Sequence, residues 1–333
     1  MALPLIRHSI RRKDLDFLLE SVLQDRLVSG VFSERLSREI SQSFRAQGTE
    51  LFASPSIAVS AVVRSLRLQA GDRVLLSVLA PPYWAVGLQD VGVECIWSDV
   101  DSDSPVLSAA SLPAGDVLAG CRAVIADTTL GYIPDFVQLK QLGLPLVCDI
   151  SQGLGGCWQE IPVGHFGDIT FASFGSDSLL AGPGGCAVAF RNGNRAEGLA
   201  WDRMSDVVAS LLLSQWADVS ALAEGKQANF GILFQRLARS FRQPKQIGNA
   251  SPAGPYFCVL ADSGAKEILA FARRNAVEAD WAFRDFAAEA VALREDEFPH
   301  GRRFLQHTLA FPLYSTFGAK ELENLGRVMA SLP

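Results

Sequence analysis

Between residues 55 and 190 the chain alternates short apolar runs with stretches of helical periodicity, the runs falling at 74–79, 93–97, 123–126, 145–149, 169–172 and 186–190. Nearly every position within a run is apolar, which marks strands covered on both faces. Such alternation predicts a mostly parallel sheet wrapped by helices, a three-layer α/β/α domain. Upstream, residues 13–45 place Leu15, Leu18, Leu19, Val22 and Leu23 at helical spacing and predict one or two amphipathic helices packed on the main body, ending before Gln47 and Gly48. Downstream, 204–242 is strongly helical, and 243–252, with its Pro, Gly and Asn, reads as a connector. Beyond it a strand at 256–260, a helix at 264–274, a strand at 307–311 and a helix at 319–331 make a small α+β unit. The expected division is therefore residues 1–242, N-terminal helices plus large domain, and 243–333, a small C-terminal domain.

Composition agrees with a buried globular chain: 333 residues, 49% hydrophobic and 20% charged. A net charge of -6 argues against a nucleic-acid partner, which would require clustered Lys and Arg. The short apolar patch at the start precedes Arg11, Arg12 and Lys13, the reverse order of a signal peptide, and no stretch reaches a membrane-spanning length. The expectation is a cytoplasmic protein without membrane association. Six cysteines lack any C-x-x-C pair, so neither a metal site nor a disulfide framework is expected. Lysine is scarce, six against twenty-four arginines, which limits the amines available to any chemistry.

Several segments, in order, carry a resemblance to a known family. Residues Val147-Cys148-Asp149-Ile150-Ser151-Gln152-Gly153-Leu154-Gly155-Gly156 are similar to E-D-A/C-A-Q/H-x-x-G-A; Val163-Gly164-His165-Phe166-Gly167-Asp168-Ile169 is similar to G-x-x-G-D-I/A. Arg203-Met204-Ser205-Asp206 matches R-M-S/T-E/D, and Leu309-Ala310-Phe311-Pro312-Leu313-Tyr314 matches L-x-L/F-P-L/M-Y/F. Ser173-Phe174-Gly175-Ser176-Asp177-Ser178-Leu179-Leu180-Ala181-Gly182-Pro183-Gly184-Gly185 resembles S-F-x-x-x-K-x-I/L-x-x-G-E-G-G. The chain thus resembles the DegT/DnrJ/EryC1/StrS sugar aminotransferases, pyridoxal phosphate (PLP)-dependent transferases of the aspartate aminotransferase fold.

The resemblance implies a set of site positions. Asp149 stands where the family acid meets the pyridine nitrogen and keeps the ring an electron sink; read locally, it is an Asp capping the turn after a strand. Gln152 matches a polar residue near the cofactor O3′, or is an exposed turn glutamine. Ser56 and Ser173 match phosphate-cup hydroxyls, while Pro55 replaces a glycine and has no N–H to give, being equally an ordinary first-turn helix proline. Trp201 replaces the phosphate-binding asparagine. Tyr83 or Trp84 is the match for the aromatic over the ring face. The Schiff-base lysine is missing: its position is Asp177 counting back from Gly182, or Ser178 counting forward from Ser173, because the loop is one residue shorter. The implied protein is a homodimeric pseudoenzyme with a binding or regulatory role, without a covalently bound cofactor, although PLP or pyridoxamine phosphate (PMP) could occupy a vestigial site. The alternative is a PLP/PMP-dependent aminotransferase or a lysine-independent dehydrase acting on a nucleotide-linked keto-sugar.

Overall fold

The computed structural model describes all residues except 1, 9, 25, 26, 29, 114, 193–201, 239–249, 252 and 285–296. Two helices, α1 (Arg12–Val22) and α2 (Val31–Ser43), precede the first strand, β1 (Gly48–Phe52). Alternating elements follow: α3 (Pro55–Ser65), β2 (Arg73–Ser77), α4 (Pro82–Gln89), β3 (Glu94–Ser98), α5 (Gly115–Ala119), β4 (Cys121–Asp127), α6 (Phe136–Lys140) and β5 (Leu146–Asp149). A small hairpin, β6 (Cys157–Trp158) and β7 (Ile161–Pro162), leads into β8 (Ile169–Ser173) and β9 (Cys186–Phe190). The central sheet has seven strands in the order β1-β9-β8-β5-β4-β2-β3. Strands β8, β5, β4, β2 and β3 run parallel, and β9 is antiparallel to both neighbours. Strand β1 was not foreseen. Its five residues, GTELF, contain a glycine and a glutamate and make no apolar run, and its place at the sheet edge comes from pairing with β9.

The continuous apolar runs have a direct cause. Leu75 and Val124 point into the core layer that α2, α6 and α7 (Asp206–Trp216) cover, with Leu36, Phe136 and Leu212. Their chain neighbours Leu76 and Ile125 point to the opposite layer, under α3 and α4, with Val59, Val62 and Trp84. Alternate side chains thus serve opposite faces, and neither face can be polar. Each such leucine contributes about 1.5–3 kcal/mol by leaving water.

Asp206 explains the Arg-Met-Ser-Asp segment. Its buried carboxylate accepts the backbone N–H groups of Gly30, Phe32 and Ser33 at 2.8, 3.1 and 3.0 Å, caging the N-terminus of α2. Burial opposes its ionisation, but these bonds win and hold its pKa below the usual carboxylate range. Ser205, one residue earlier, caps α7 through Val208 N–H.

The long helix α8 (Val219–Leu237) follows α7, and β10 (Ala250–Ser251) pairs with β6, so the described end of the expected connector is bonded to the hairpin. A second sheet has the order β11-β13-β12, built from β11 (Tyr256–Leu260), β12 (Asp280–Trp281) and β13 (Thr308–Pro312). Helices α9 (Ala265–Arg274), Pro299–His307 and Ala319–Ala330 accompany it. Its core joins Phe257, Phe311 and Leu325 to Leu233 and Leu237 of α8 and to Leu3. The chain's first residues are tied here: Leu3 bridges Val277, Tyr314 donates its hydroxyl to the Pro4 carbonyl, and Leu5 N–H donates to Glu278 at 2.9 Å. Arg7 grips Glu321 with two nitrogens, at 2.9 and 2.6 Å, and stands 4.5 Å above the Tyr314 ring.

Candidate functional site

Ligands of open parallel sheets sit outside the carboxyl ends of the strands. Asp149 closes β5 there, 1% exposed. Two consecutive aromatics of the first turn of α4 converge on one oxygen: the Tyr83 hydroxyl donates to Oδ2 at 2.6 Å and Trp84 Nε1 at 2.7 Å. Pro82 starts that helix with no N–H to satisfy, which fits the first turn directly against the strand ends. The other oxygen, Oδ1, accepts Ser151 N–H at 2.9 Å and the Ser151 hydroxyl. A carboxylate offers about four lone-pair sites, and all four are taken by protein donors. Phe171 of β8 backs the aromatics, its ring stacked on Tyr83 at 5.5 Å and tilted against Trp84 at 4.7 Å. Burial raises the Asp149 pKa, against hydrogen bonds from Ser151, Tyr83 and Trp84 that favour the anion. Burial, then the neighbouring Asp149, pushes the Tyr83 phenol well above its ordinary value.

Asp127, across from Asp149 in the β4–β5 register, is also buried. Its Oδ1 has no partner, Oδ2 takes the Thr129 hydroxyl, and burial lifts its pKa to about 7.

The loop after β8 brings Asp177 to the cleft. Its Oδ2 accepts Gln152 Nε2 at 2.7 Å, while Gln152 Oε1 accepts Leu130 N–H at 2.6 Å, so Gln152 is a brace between two loops. Ser173 donates its N–H to Ser151 Oγ at 2.8 Å. Ser173, Ser151, Gln152, Asp177 and Tyr83 line one cavity of about 390 Å³. Ser178 lines an adjoining cavity of about 130 Å³, and Asp177 stands in the wall common to both. Ser56 is not brought in: it is exposed on the first turn of α3 and absent from both linings. Pro55 is the first-turn proline of α3, whose cap is Ser54. Pro183 is exposed and lines neither cavity, and Trp201 lies outside the described residues.

The expected positions did not include Lys226. It rises from the interior of α8 into the smaller cavity, 7% exposed, and its Nζ donates to the Gly254 carbonyl at 2.9 Å. Gly254 is held there because Gly131, at φ +85°, packs on it so closely that a Cβ would sit 2.2 Å from the Gly254 Cα. Burial lowers the Lys226 pKa to about 8, with Asp177 opposing. The one hint in the sequence was a lysine amid a largely uncharged helical stretch. No cluster of His, Cys, Asp and Glu among the described residues is arranged for a metal ion.

The seven-stranded, mostly parallel sheet followed by a small antiparallel unit superposes on solved sugar aminotransferases. The profile of the DegT/DnrJ/EryC1/StrS aminotransferase family matches residues 8–201, and the chain belongs to that family. TlmJ, an aminotransferase from Streptoalloteichus hindustanus, superposes with a TM-score of 0.86 at 17% identity, covering 99% of this chain and 98% of its own. NtdA from Bacillus subtilis, solved with bound PMP, superposes at 0.81 with 15% identity, covering 96% and 83%. The GDP-perosamine synthase of Vibrio cholerae is 23% identical over 169 residues, 48% of this chain and 45% of that protein, so the match spans about half the length of that curated relative.

The residues present do not fit the family cofactor. Asp177 supplies no amine, the Asp149 carboxylate has no lone pair left for a protonated pyridine nitrogen, and the α3 N-terminus has lost an N–H at Pro55 and turns Ser56 to solvent.

Proposed function

We propose that this protein is a DegT-family member that has given up aldimine-based transamination and binds a small molecule in the paired cavities at the strand ends. The observation that carries the reading is the fourfold occupation of Asp149 by Tyr83, Trp84 and Ser151. In that role Tyr83 forms the floor, Gln152 and Asp177 present a rigid polar edge, and the segment Leu5–Ile6 closes the top. Purified protein titrated with PLP and with PMP tests this. The expected result is no internal-aldimine absorbance and no transamination half-reaction. A persistent aldimine band overturns the reading, and tight PMP uptake by a colourless protein favours the lysine-independent dehydrase instead.

The working unit is a homodimer in the cytoplasm. Leu15, Leu19 and Val22 of α1, its C-cap residue Leu23, and Leu27, Val28 and Val31 beyond it are exposed apolar side chains suited to a second copy. Light scattering is expected to give twice the chain mass, and Leu19→Glu with Leu23→Glu to give one. No helix among the described residues is long and apolar enough to cross a membrane. The division into domains at residue 242 belongs to the same proposal.

A further inference from the structure

The family lysine is absent from its loop, yet an amine reaches the same cavity from α8. Lys226 and Asp177 line one space, together with Ser176, Ser178 and Tyr314. Among the described residues Lys226 forms no ion pair, and its one hydrogen bond goes to the neutral Gly254 carbonyl. An ammonium so placed lacks the compensation that buried charges normally have. Arg7 and Arg11 also line the cavity, but Arg7 is paired with Glu321 and Arg11 with Asp218, so it is the unpaired Lys226 ammonium that favours an anion there.

We propose that Lys226 is a carbonyl-capturing amine, condensing reversibly through Nζ with a small anionic aldehyde or ketone held in the cavity beside Asp177. The proposal rests on the reading of the cleft as a cofactor-free small-molecule site, and names the ligand class of that site. In the step, the Nζ lone pair attacks the carbonyl carbon. The two N–H protons pass to the carbonyl oxygen, with Asp177 as the adjacent carrier, and that oxygen leaves as water. A C=N bond replaces C=O, nothing is oxidised or reduced, and hydrolysis reverses it. A pKa near 8 leaves about a tenth of the amine unprotonated at pH 7, which an ordinary lysine does not offer.

The test uses the full-length protein, glyoxylate as probe and cyanoborohydride to reduce the imine to a stable amine, with peptide mass spectrometry locating the label. The groups facing Nζ around the cavity are Arg7, His8, Arg11, Asp177, Tyr256 and Tyr314, so the pH series is repeated in His8→Asn. We expect Lys226 to be labelled about tenfold or more faster than each of the other five lysines, with a rate midpoint near pH 8 that survives His8→Asn. Neutral propanal should show less preference for Lys226 than glyoxylate. Asp177→Asn should slow labelling about tenfold. Lys226→Arg, which retains a donor for Gly254, should abolish the adduct while the thermal midpoint stays close to that of the parent. Labelling at Lys226 no faster than at the other lysines overturns the proposal, as does a midpoint at the usual lysine value. Absorbance after PLP addition is recorded separately: an aldimine band there refutes the cofactor-free reading, whereas the glyoxylate label speaks to Lys226 alone.

Discussion

Two buried ionisable groups stand beside this cleft, Asp149 behind Tyr83 and Ser151 and Lys226 in the lining of the smaller cavity, and the fold treats them in opposite ways. Asp149 has every lone pair engaged, by donors from α4 and from its own turn. Lys226 has three N–H donors and one protein acceptor, a carbonyl. A saturated polar group has become part of the scaffold, since any new ligand must first displace a good bond. An under-satisfied one retains chemical potential for a ligand. On the reading proposed above, the Asp149 wall serves as scaffold and Lys226 of α8 is the group left open to a ligand.

The sharpest way to break the contrast is Asp149→Ala. It strands the Tyr83 hydroxyl, Trp84 Nε1 and Ser151 donors in the core and should cost about 3–4 kcal/mol in urea unfolding. A loss under about 1 kcal/mol would mean that wall is not scaffold.

Next in size is Lys226→Met, which should stabilise the protein by about 1–2 kcal/mol at pH 7, the relief of a buried ammonium exceeding the lost hydrogen bond to Gly254. The sign should reverse at high pH, because the shift from 10.5 to about 8 is worth about 3 kcal/mol, more than the stabilisation expected at pH 7. The folded-state pKa, about 8, lies below the unfolded value of 10.5, so the unfolded chain binds more protons between them. Wild-type stability relative to Lys226→Met should accordingly rise as pH climbs through that window, measured as paired urea curves.

Tyr83→Phe removes one donor from Oδ2 but leaves Trp84 in place, and should cost about 1 kcal/mol in urea unfolding. Smallest is Ser54→Ala, which removes the cap of α3 and should cost about 0.5–1 kcal/mol, read as a shift in urea midpoint.

The large sheet was legible because burial on both faces forces apolar residues at successive positions, as at Leu75 and Leu76. Strand β1 was not, because an edge strand tolerates Gly48 and Glu50 and its identity lies in its partner. Gln152 and Ser173 could be placed at the cleft from motif order alone, whereas Asp149 lies buried behind Tyr83 and Ser151. What Asp149 does could not be read the same way, since the bonds that occupy it come from residues on a different helix. Ser56 shows the converse: a hydroxyl at the right count that the first turn of α3 directs to solvent. Lys226 escaped because its environment is made by Gly254 and Asp177, distant in the chain and joined only by the packing of α8.

The grip of Arg7 on Glu321 joins residues 314 positions apart, and Leu3 completes a core otherwise built from the far end of the chain. Such a contact forms only once the intervening chain is in place, since loop closure is costly until native contacts return its entropy. The segment carrying Leu5 and Ile6, which lines both cavities, is thus among the last to be seated. Refolding should show a fast phase for sheet formation, followed by a slower one in which the cleft becomes competent to take a ligand.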